Sequence, residues 1–265
     1  MKFNEKMTVI ADNIRSKTGG TEALSLDGMA SGVNEVYDKG RSDEWSDFWD
    51  AFQSNGTRTA YQYAFSQGWD NKSFMPKYDI KPLDATNMFA SSVKITGDLK
   101  ELLENCGVEL DTSKATYMQY AFNNASNIAR LPEISFESAN AYEARIQGVF
   151  MGCYGLKRID KVIYPTEKHQ PTTNTFQSCK TLSYLRIGGV IGNNFNVSWS
   201  PLDVESVKDV ILHLKDYSTD TENKGKYTLT LSDTSKTAMS ELGIIPEFNN
   251  KTYDAYLTDI GWNLA

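Results

Sequence analysis

The sequence predicts an α+β fold, in which a short solenoid of stacked turns is preceded by N-terminal helices and followed by a C-terminal α/β cap. Three observations carry that prediction. The words Tyr-Ala-Phe occur twice, in "YAFSQGWDNKSFMPKYDI" (63–80) and "YAFNNASNIARLPEISF" (120–136), each time followed by an apolar residue, a proline and an apolar end. Weaker versions of the phrase, each built around a phenylalanine, fill the chain between and after them. The flanking segments change to helical spacing. A catalytic motif has to occur once, whereas a recurring phrase marks a module that buries its apolar face against its own neighbours.

With the phenylalanine as anchor, the units centre on Phe65, Phe89, Phe122, Phe150 and Phe176, separated by 24, 33, 28 and 26 residues. These intervals fall in the range of leucine-rich-type solenoids. Six residues after each anchor stand Asn71, Ile95, Ile128, Leu156 and Leu182. Nine after it stand Phe74, Asp98, Leu131, Ile159 and Leu185, with Leu99 as the substitute for Asp98. Three after it stand Gly68, Ser92, Ala125, Cys153 and Cys179, which share little except small volume. The phenylalanine is expected to fill the core, the small residue to let the chain bend inside the stack, and the Leu and Ile to line a short strand. Cys153 and Cys179 then read as small buried hydrophobes. A metal or redox pair is the alternative, but His169 and His213, the two histidines of the chain, are not at ligand spacing. Cys106, in "LLENCGVEL", lies outside the column and reads as a buried thiol.

The units "VFMGCYGLKRIDKVIY" (149–164) and "TFQSCKTLSYLRIGGVI" (175–191) resemble the BspA-type leucine-rich repeat, whose phrase is roughly F-x-x-C-x-x-L-x-x-I. The unit at 120–136 is similar, those at 63–80 and 88–103 more loosely so, and the resemblance spans about half of the chain. It implies a leucine-rich-repeat-like solenoid over residues 56–198 and an interaction surface of the kind found in bacterial surface proteins and in phage and prophage proteins.

Residues 1–55 are expected to be helical. "MTVIADNIRSKTGGTEALSLDGMASGV" (7–33) has Met7, Ile10 and Ile14 at helical spacing before a Gly-Gly break. A second helix is expected from Asp27, a sound N-cap, to Gln53. Its stripe holds Met29, Val33, Val36, Tyr37, Trp45, Phe48, Trp49 and Phe52, and Gly40 and Ser42 break the heptad that a coiled coil would need. The stripe either caps the first unit or meets copies of itself or a partner protein. The same stretch resembles a segment of tail- and baseplate-associated proteins of phages and prophages of Gram-positive bacteria, roughly I-A-x-x-I-R-x-K-T-G. The closing "IGWNLA" (260–265) resembles an ending common among them.

Residues 199–265 change character. Pro201 suits a first helical turn with Ser200 as N-cap candidate, and Val204, Val207, Ile211 and Leu214 follow at helical spacing. "YTLTLS" (227–232) alternates as a strand does, "SDTSKTAMSELG" reads as a short helix closed by Gly243, and the end predicts a final helix and strand. Such a region would cover the open end of the solenoid and prevent edge pairing.

Composition narrows the function. The chain has 265 residues, 40% of them hydrophobic and 23% charged, which are ordinary globular values. A net charge of −7 without a Lys/Arg cluster speaks against a nucleic-acid partner. Three cysteines argue against a disulfide framework. The start "MKFNEKMTVIADNIRSK" has no apolar run of signal-peptide length, and no window suits a membrane span, so assembly in a cytoplasm without membrane insertion is expected. None of the nucleophile-elbow, P-loop, dinucleotide or zinc-protease motifs occurs. His213 sits on the helix expected at 202–217 as a surface or half-buried residue. "DYSTDTEN" (216–223) is acidic but lacks calcium-loop spacing.

The expectation is a non-enzymatic protein without cofactor, a structural or binding component of a phage or prophage virion. It would assemble in the host cytoplasm as a homo-oligomer, with a trimer as the first choice that the resemblance implies. Its partners would be other virion proteins and a host-surface glycan or protein, met through a repeat surface rich in Tyr and Trp. Lys168, His169 and Gln170, in an insertion-like loop, are the candidate binding rim. A bacterial surface adhesin is the alternative, and a carbohydrate-active enzyme resting on paired acids is the third reading.

Overall fold

The computed structural model of the chain describes residues 44–66, 68–139, 143–165 and 174–265. The chain divides into two compact units, residues 1–56 and 57–265. In the first, helix α1 spans Glu44–Phe52. Phe48 stacks on Phe52 at 5.7 Å, one turn away, and the buried Trp49 meets Phe52 edge-on at 5.3 Å. The helix at Met7–Ile14, the start at Asp27 and the side chain of Trp45 lie outside the described residues.

The second unit is mixed α/β with two parallel sheets. The larger holds β1 (Gly97–Asp98), β2 (Ile128–Ser135), β3 (Arg158–Ile163) and β4 (Tyr184–Gly188), in that order and all parallel. Sequential parallel strands oblige the chain to travel back between them. Each return segment here carries one of the anchor phenylalanines. Leu131, Ile159 and Leu185 face one another in register across β2, β3 and β4. Ile95, Ile128, Leu156 and Leu182 are buried at the entrances to the strands.

The five phenylalanines are fully buried and stack as one column. Ring centres step by 4.8 Å from Phe65 to Phe89, 5.2 Å to Phe122, 5.9 Å to Phe150 and 5.4 Å to Phe176. That interval is close to the spacing of hydrogen-bonded strands, about 4.8 Å. The backbone keeps the same interval. The amide of each anchor donates to the next layer, Phe65 to Met88, Phe89 to Ala121, Phe122 to Val149 and Phe150 to Thr175. Phe195 continues the column at 5.7 Å from Phe176.

The small residues do more than make room. Ser92 Oγ donates to the carbonyl of Phe65, Cys153 Sγ to that of Phe122 at 3.0 Å, and Cys179 Sγ to that of Phe150 at 3.1 Å. Each of these three thus bonds to the carbonyl of the preceding anchor, and the Phe122 and Phe150 carbonyls accept from the amides of Ala125 and Cys153 as well. Burial pushes both thiols up, Cys153 well above its ordinary value and Cys179 to about 12, so neither is a thiolate at neutral pH. Cys106, expected to be buried, is half-buried at the end of a helix.

That helix, α2 (Leu99–Cys106), explains the longest interval between anchors. Asp98 leaves the column of apolar residues because its carboxylate caps α2 through the amide of Glu101, and Leu99 takes the buried place. Gly107 ends the helix in the left-handed region at φ 69°.

The smaller sheet has β5 (Phe195–Val197), β6 (Tyr227–Leu231) and β7 (Trp262–Leu264), parallel and in that order. Helix α3 (Val204–Leu212) connects β5 to β6, and α4 (Asp233–Leu242) and α5 (Tyr253–Asp259) connect β6 to β7. The N-cap of α3 is Asp203, not Ser200. The Asp203 carboxylate accepts from Ser206 at 2.7 Å, while its amide donates to Ser183, which leaves Pro201 ahead of the helix. Ser200 is buried before the turn. α3 also finishes the large sheet: Ser206 Oγ accepts the amide of Leu185, and Asp209 accepts that of Ile187 at 2.6 Å. Two strand donors at the β4 edge are thus taken by side chains, which blunts edge pairing.

Because Ser92 already makes the bond that Cys153 makes, Cys153→Ser is expected to stay within about 1 kcal/mol of the parent. Cys153→Val, larger and without a donor, is expected to lose about 2–3 kcal/mol. Urea denaturation followed by fluorescence measures both.

Candidate binding surface

Each layer from Phe89 to Phe176 turns twice through the left-handed region, and these turns set the outer surface. Two residues before each anchor stand Tyr63, Asn87, Tyr120, Gly148 and Asn174, with φ of 53°, 53°, 56°, 58° and 65°. Two residues after it stand Ser91, Asn124, Gly152 and Ser178, again with positive φ. Asn and Gly suit that conformation and tyrosine does not, because its Cβ crowds the following carbonyl. The recurring Tyr-Ala-Phe phrase therefore places a bulky residue where the other layers use Asn or Gly.

These turns line up across the layers. The amide of Tyr63 donates to Thr86, that of Asn87 to Gln119 and that of Tyr120 to Gln147, at 3.2, 2.9 and 2.9 Å. Three residues before the anchors, the side chains form a polar column of Gln62, Thr86, Gln119 and Gln147. Five before stand Ala60, Asp84, Tyr117 and Arg145. Together with Asn87 and Tyr120, most of these line an open trough of about 660 Å³. Gln62 Nε2 donates to Asp84 at 2.6 Å, Thr86 Oγ1 to Gln119 at 3.3 Å, and the Arg145 guanidinium lies 4.7 Å from the Tyr117 ring centre. Tyr63 is 62% exposed, in line with Tyr120. The Tyr120 ring rests on Gly148, where a Cβ would come within 2.6 Å of it.

The face of the large sheet carries a second array, built on charge. Asp98, Arg130, Arg158 and Tyr184 occupy one row of the register. Arg130 donates to Asp160 at 2.9 and 2.7 Å and to Asp98 at 3.2 Å, Arg158 to Asp160 at 2.6 Å, and Lys100 to Asp160 at 3.1 Å. Partial burial opposes the charge on Asp160, but the donors Arg130, Arg158 and Lys100 outweigh it and hold the carboxyl well below the usual range. The hydrogen bond from Arg130 to Asp160, with their mutual attraction, raises the guanidinium further above its ordinary value. The guanidinium groups of Arg158 and Arg186 lie 3.7 and 4.4 Å from the Tyr184 ring centre. Beside this row, α2 and residues 108–113 border a groove of about 570 Å³ with Leu103, Val108, Leu110 and Pro132 among its lining and Glu104, Glu109 and Glu133 at its rim.

Lys168, His169 and Gln170 lie outside the described residues. The core residues Phe65, Phe89, Phe122, Phe150, Cys153, Leu156, Ile159, Phe176, Cys179, Leu182 and Leu185 are all buried, and they position the surface rather than contribute to it. His213 is half-buried, with Nδ1 2.7 Å from the carbonyl of Asp209. Asp216 and Asp220 accept from nearby amides, Ser218 to the first and Glu222 and Asn223 to the second, and so close turns. Among the described residues, no group of three or more His, Cys, Asp or Glu could hold a metal ion, and no helix is long and apolar enough to cross a membrane.

The trough and the charged row were missed at the level of sequence. The signal for the trough was the column two before the anchors, Tyr63, Asn87, Tyr120, Gly148 and Asn174, whereas the charged row depends on strand register.

No protein-family model, curated protein or solved structure matches the chain.

Two outcomes follow. Tyr63→Asn is expected to raise stability by about 0.5 kcal/mol, because it relieves a left-handed tyrosine that is largely exposed. Asp160→Asn is expected to cost about 1–2 kcal/mol at pH 7. As the folded pKa of Asp160 is depressed, its contribution is complete above the unfolded value near 4 and fades as pH falls below it. The variant's stability curve should therefore fall less steeply than the parent's between about pH 5 and 2, as read by urea titrations across that range.

Proposed function

We propose that this protein is a non-enzymatic structural and binding component of a phage or prophage particle, associated with the tail or baseplate. In this reading residues 56–198 form a short BspA-type leucine-rich-repeat-like solenoid, the flanking regions cap or attach it, and copies of the chain assemble as a homo-oligomer. The observation that carries the binding role is the pair of outward arrays in register over a buried phenylalanine column. Side chains on such a stack keep their spacing without having to be ordered by the partner, which lowers the entropic cost of recognition. The assignment to a particle rests on the resemblance of residues 7–33 and 260–265 to phage proteins. A surface adhesin would share the array but not that location.

Mass spectrometry of purified particles from an induced host, with immunogold labelling of this chain, tests the proposal. Stoichiometric recovery and gold at the tail or baseplate are expected. Absence from the particle, with label on the bacterial envelope, would move the chain to the adhesin reading.

A further inference from the structure

We infer that the trough between Gln62 and Gln147 is a binding site for a neutral linear polysaccharide, laid along the direction in which the layers stack. The inference deepens the binding role proposed above and rests on it.

The tyrosines come first. At the station two before the anchor, the layers of Phe89, Phe150 and Phe176 use Asn87, Gly148 and Asn174, so the fold is satisfied there by residues that tolerate positive φ. Tyr63 and Tyr120 hold the same conformation against steric preference. Strain of this kind persists where the surroundings enforce it, and it gathers at ligand-contacting positions. Tyr63 is mostly exposed and Tyr120 lines the trough, so neither serves as core filling.

The chemistry of the other columns selects the ligand. Gln62, Gln119 and Gln147 present amides that both donate and accept, Thr86 a hydroxyl, and Asp84 an acceptor. Sugar hydroxyls, which also donate and accept, match that set. Aromatic faces supply the apolar contact that the C–H side of a pyranose ring needs. A protein partner would call for an enclosed apolar socket to hold an anchor residue, and the trough is open. Asp84 in the trough and Arg145 over Tyr117 give the site one charge of each sign, so no net field selects an anionic or a cationic chain and a neutral polymer is the better fit.

Geometry sets the length and direction. Tyr63 and Tyr120 belong to layers two steps apart, about 10 Å at strand spacing, close to the length of a disaccharide. Tyr120 lines the trough and the exposed Tyr63 follows Gln62, which lines it too, so alternate rings of a linear chain would come level with a tyrosine. The trough is open, so a polymer can pass through it. Its walls are set in advance: the Tyr120 ring is seated on Gly148, Gln62 is held by Asp84, and Arg145 lies over Tyr117.

The test uses the full chain on a printed array of linear microbial polysaccharides, followed by calorimetric titration with the hexasaccharide of the best-bound one. Binding to at least one neutral polymer is expected. Tyr63→Asn combined with Tyr120→Asn, which installs the residue of the equivalent layers, should weaken it by at least about tenfold, with circular dichroism checking that the variant is folded. Gln147→Ala, at an exposed position, should weaken it severalfold and covers the case in which the double variant misfolds. No binding to any printed polymer, or binding that all three substitutions leave unchanged, would overturn the inference. Undiminished attachment to cells stripped of polysaccharide would overturn it too, yet leave the binding-protein reading standing. Absence of the chain from purified particles would remove the particle assignment and leave the saccharide result untouched.

Discussion

Each layer of the second unit has to meet the next at the separation of hydrogen-bonded strands, and the phenylalanine column is the interaction that satisfies this. An aromatic ring presents a face nearly as wide as a layer is deep, so rings can stack at 4.8 to 5.9 Å while the anchor amides bond across the same gap. Burial of one such side chain stabilises by roughly 1.5–3 kcal/mol, and here the gain is shared by every pair of neighbouring layers. Ser92, Cys153 and Cys179 add a side-chain bond from each layer to the anchor carbonyl of the layer before it. Packing and hydrogen bonding thus depend on one interval.

The outer surface follows from that interval. Turns through the left-handed region let the chain reverse within a layer. Since the layers are in register, residues at equivalent turns form columns across the stack. Most of those positions hold Asn or Gly, which adopt the conformation at little cost, and Ser91 and Ser178 are small. The two tyrosines depart from this rule, and both look outward. On the sheet face, a row that brings three arginines and a lysine near one another is held together by Asp160, Asp98 and the Tyr184 ring. Desolvation and repulsion are offset there by a shared carboxylate, so that array is a cross-brace between layers as well as a surface.

Different devices finish the two sheets. α3 supplies Ser206 and Asp209 to amides at the edge of β4, and the smaller parallel sheet carries the apolar column on through Phe195. α2 lies near β2 where β1 is only two residues long, and with residues 108–113 it borders the groove. Side chains and helices thus take over where strand pairing stops.

How much of this could be read from the sequence depends on the kind of signal. Recurrence picked out Phe65, Phe89, Phe122, Phe150, Phe176 and the small residues Ser92, Ala125, Cys153 and Cys179, because a buried station accepts few side chains and leaves a trace in composition. Gly68, expected in the same column, is exposed. Helical spacing and cap residues located α3, α4 and α5, although Asp203 displaced Ser200 as the cap of α3 once Ser183 held its amide. Helix α2 leaves little signal because it is short and its first residue, Leu99, reads as the strand residue that replaces Asp98. The hydrogen bonds of Cys153 and Cys179 went unread because volume alone explained the column.

The candidate surface was the least legible part. Amino-acid order by itself determined which residues are buried and roughly where the chain bends, since both depend on side-chain size and local backbone preference. Only the tertiary structure decided that Gln62, Thr86, Gln119 and Gln147 stand side by side, or that Asp98, Arg130 and Asp160 share one face. Those neighbours are some 20 to 60 residues apart in sequence, and nothing but the register of the layers brings them together.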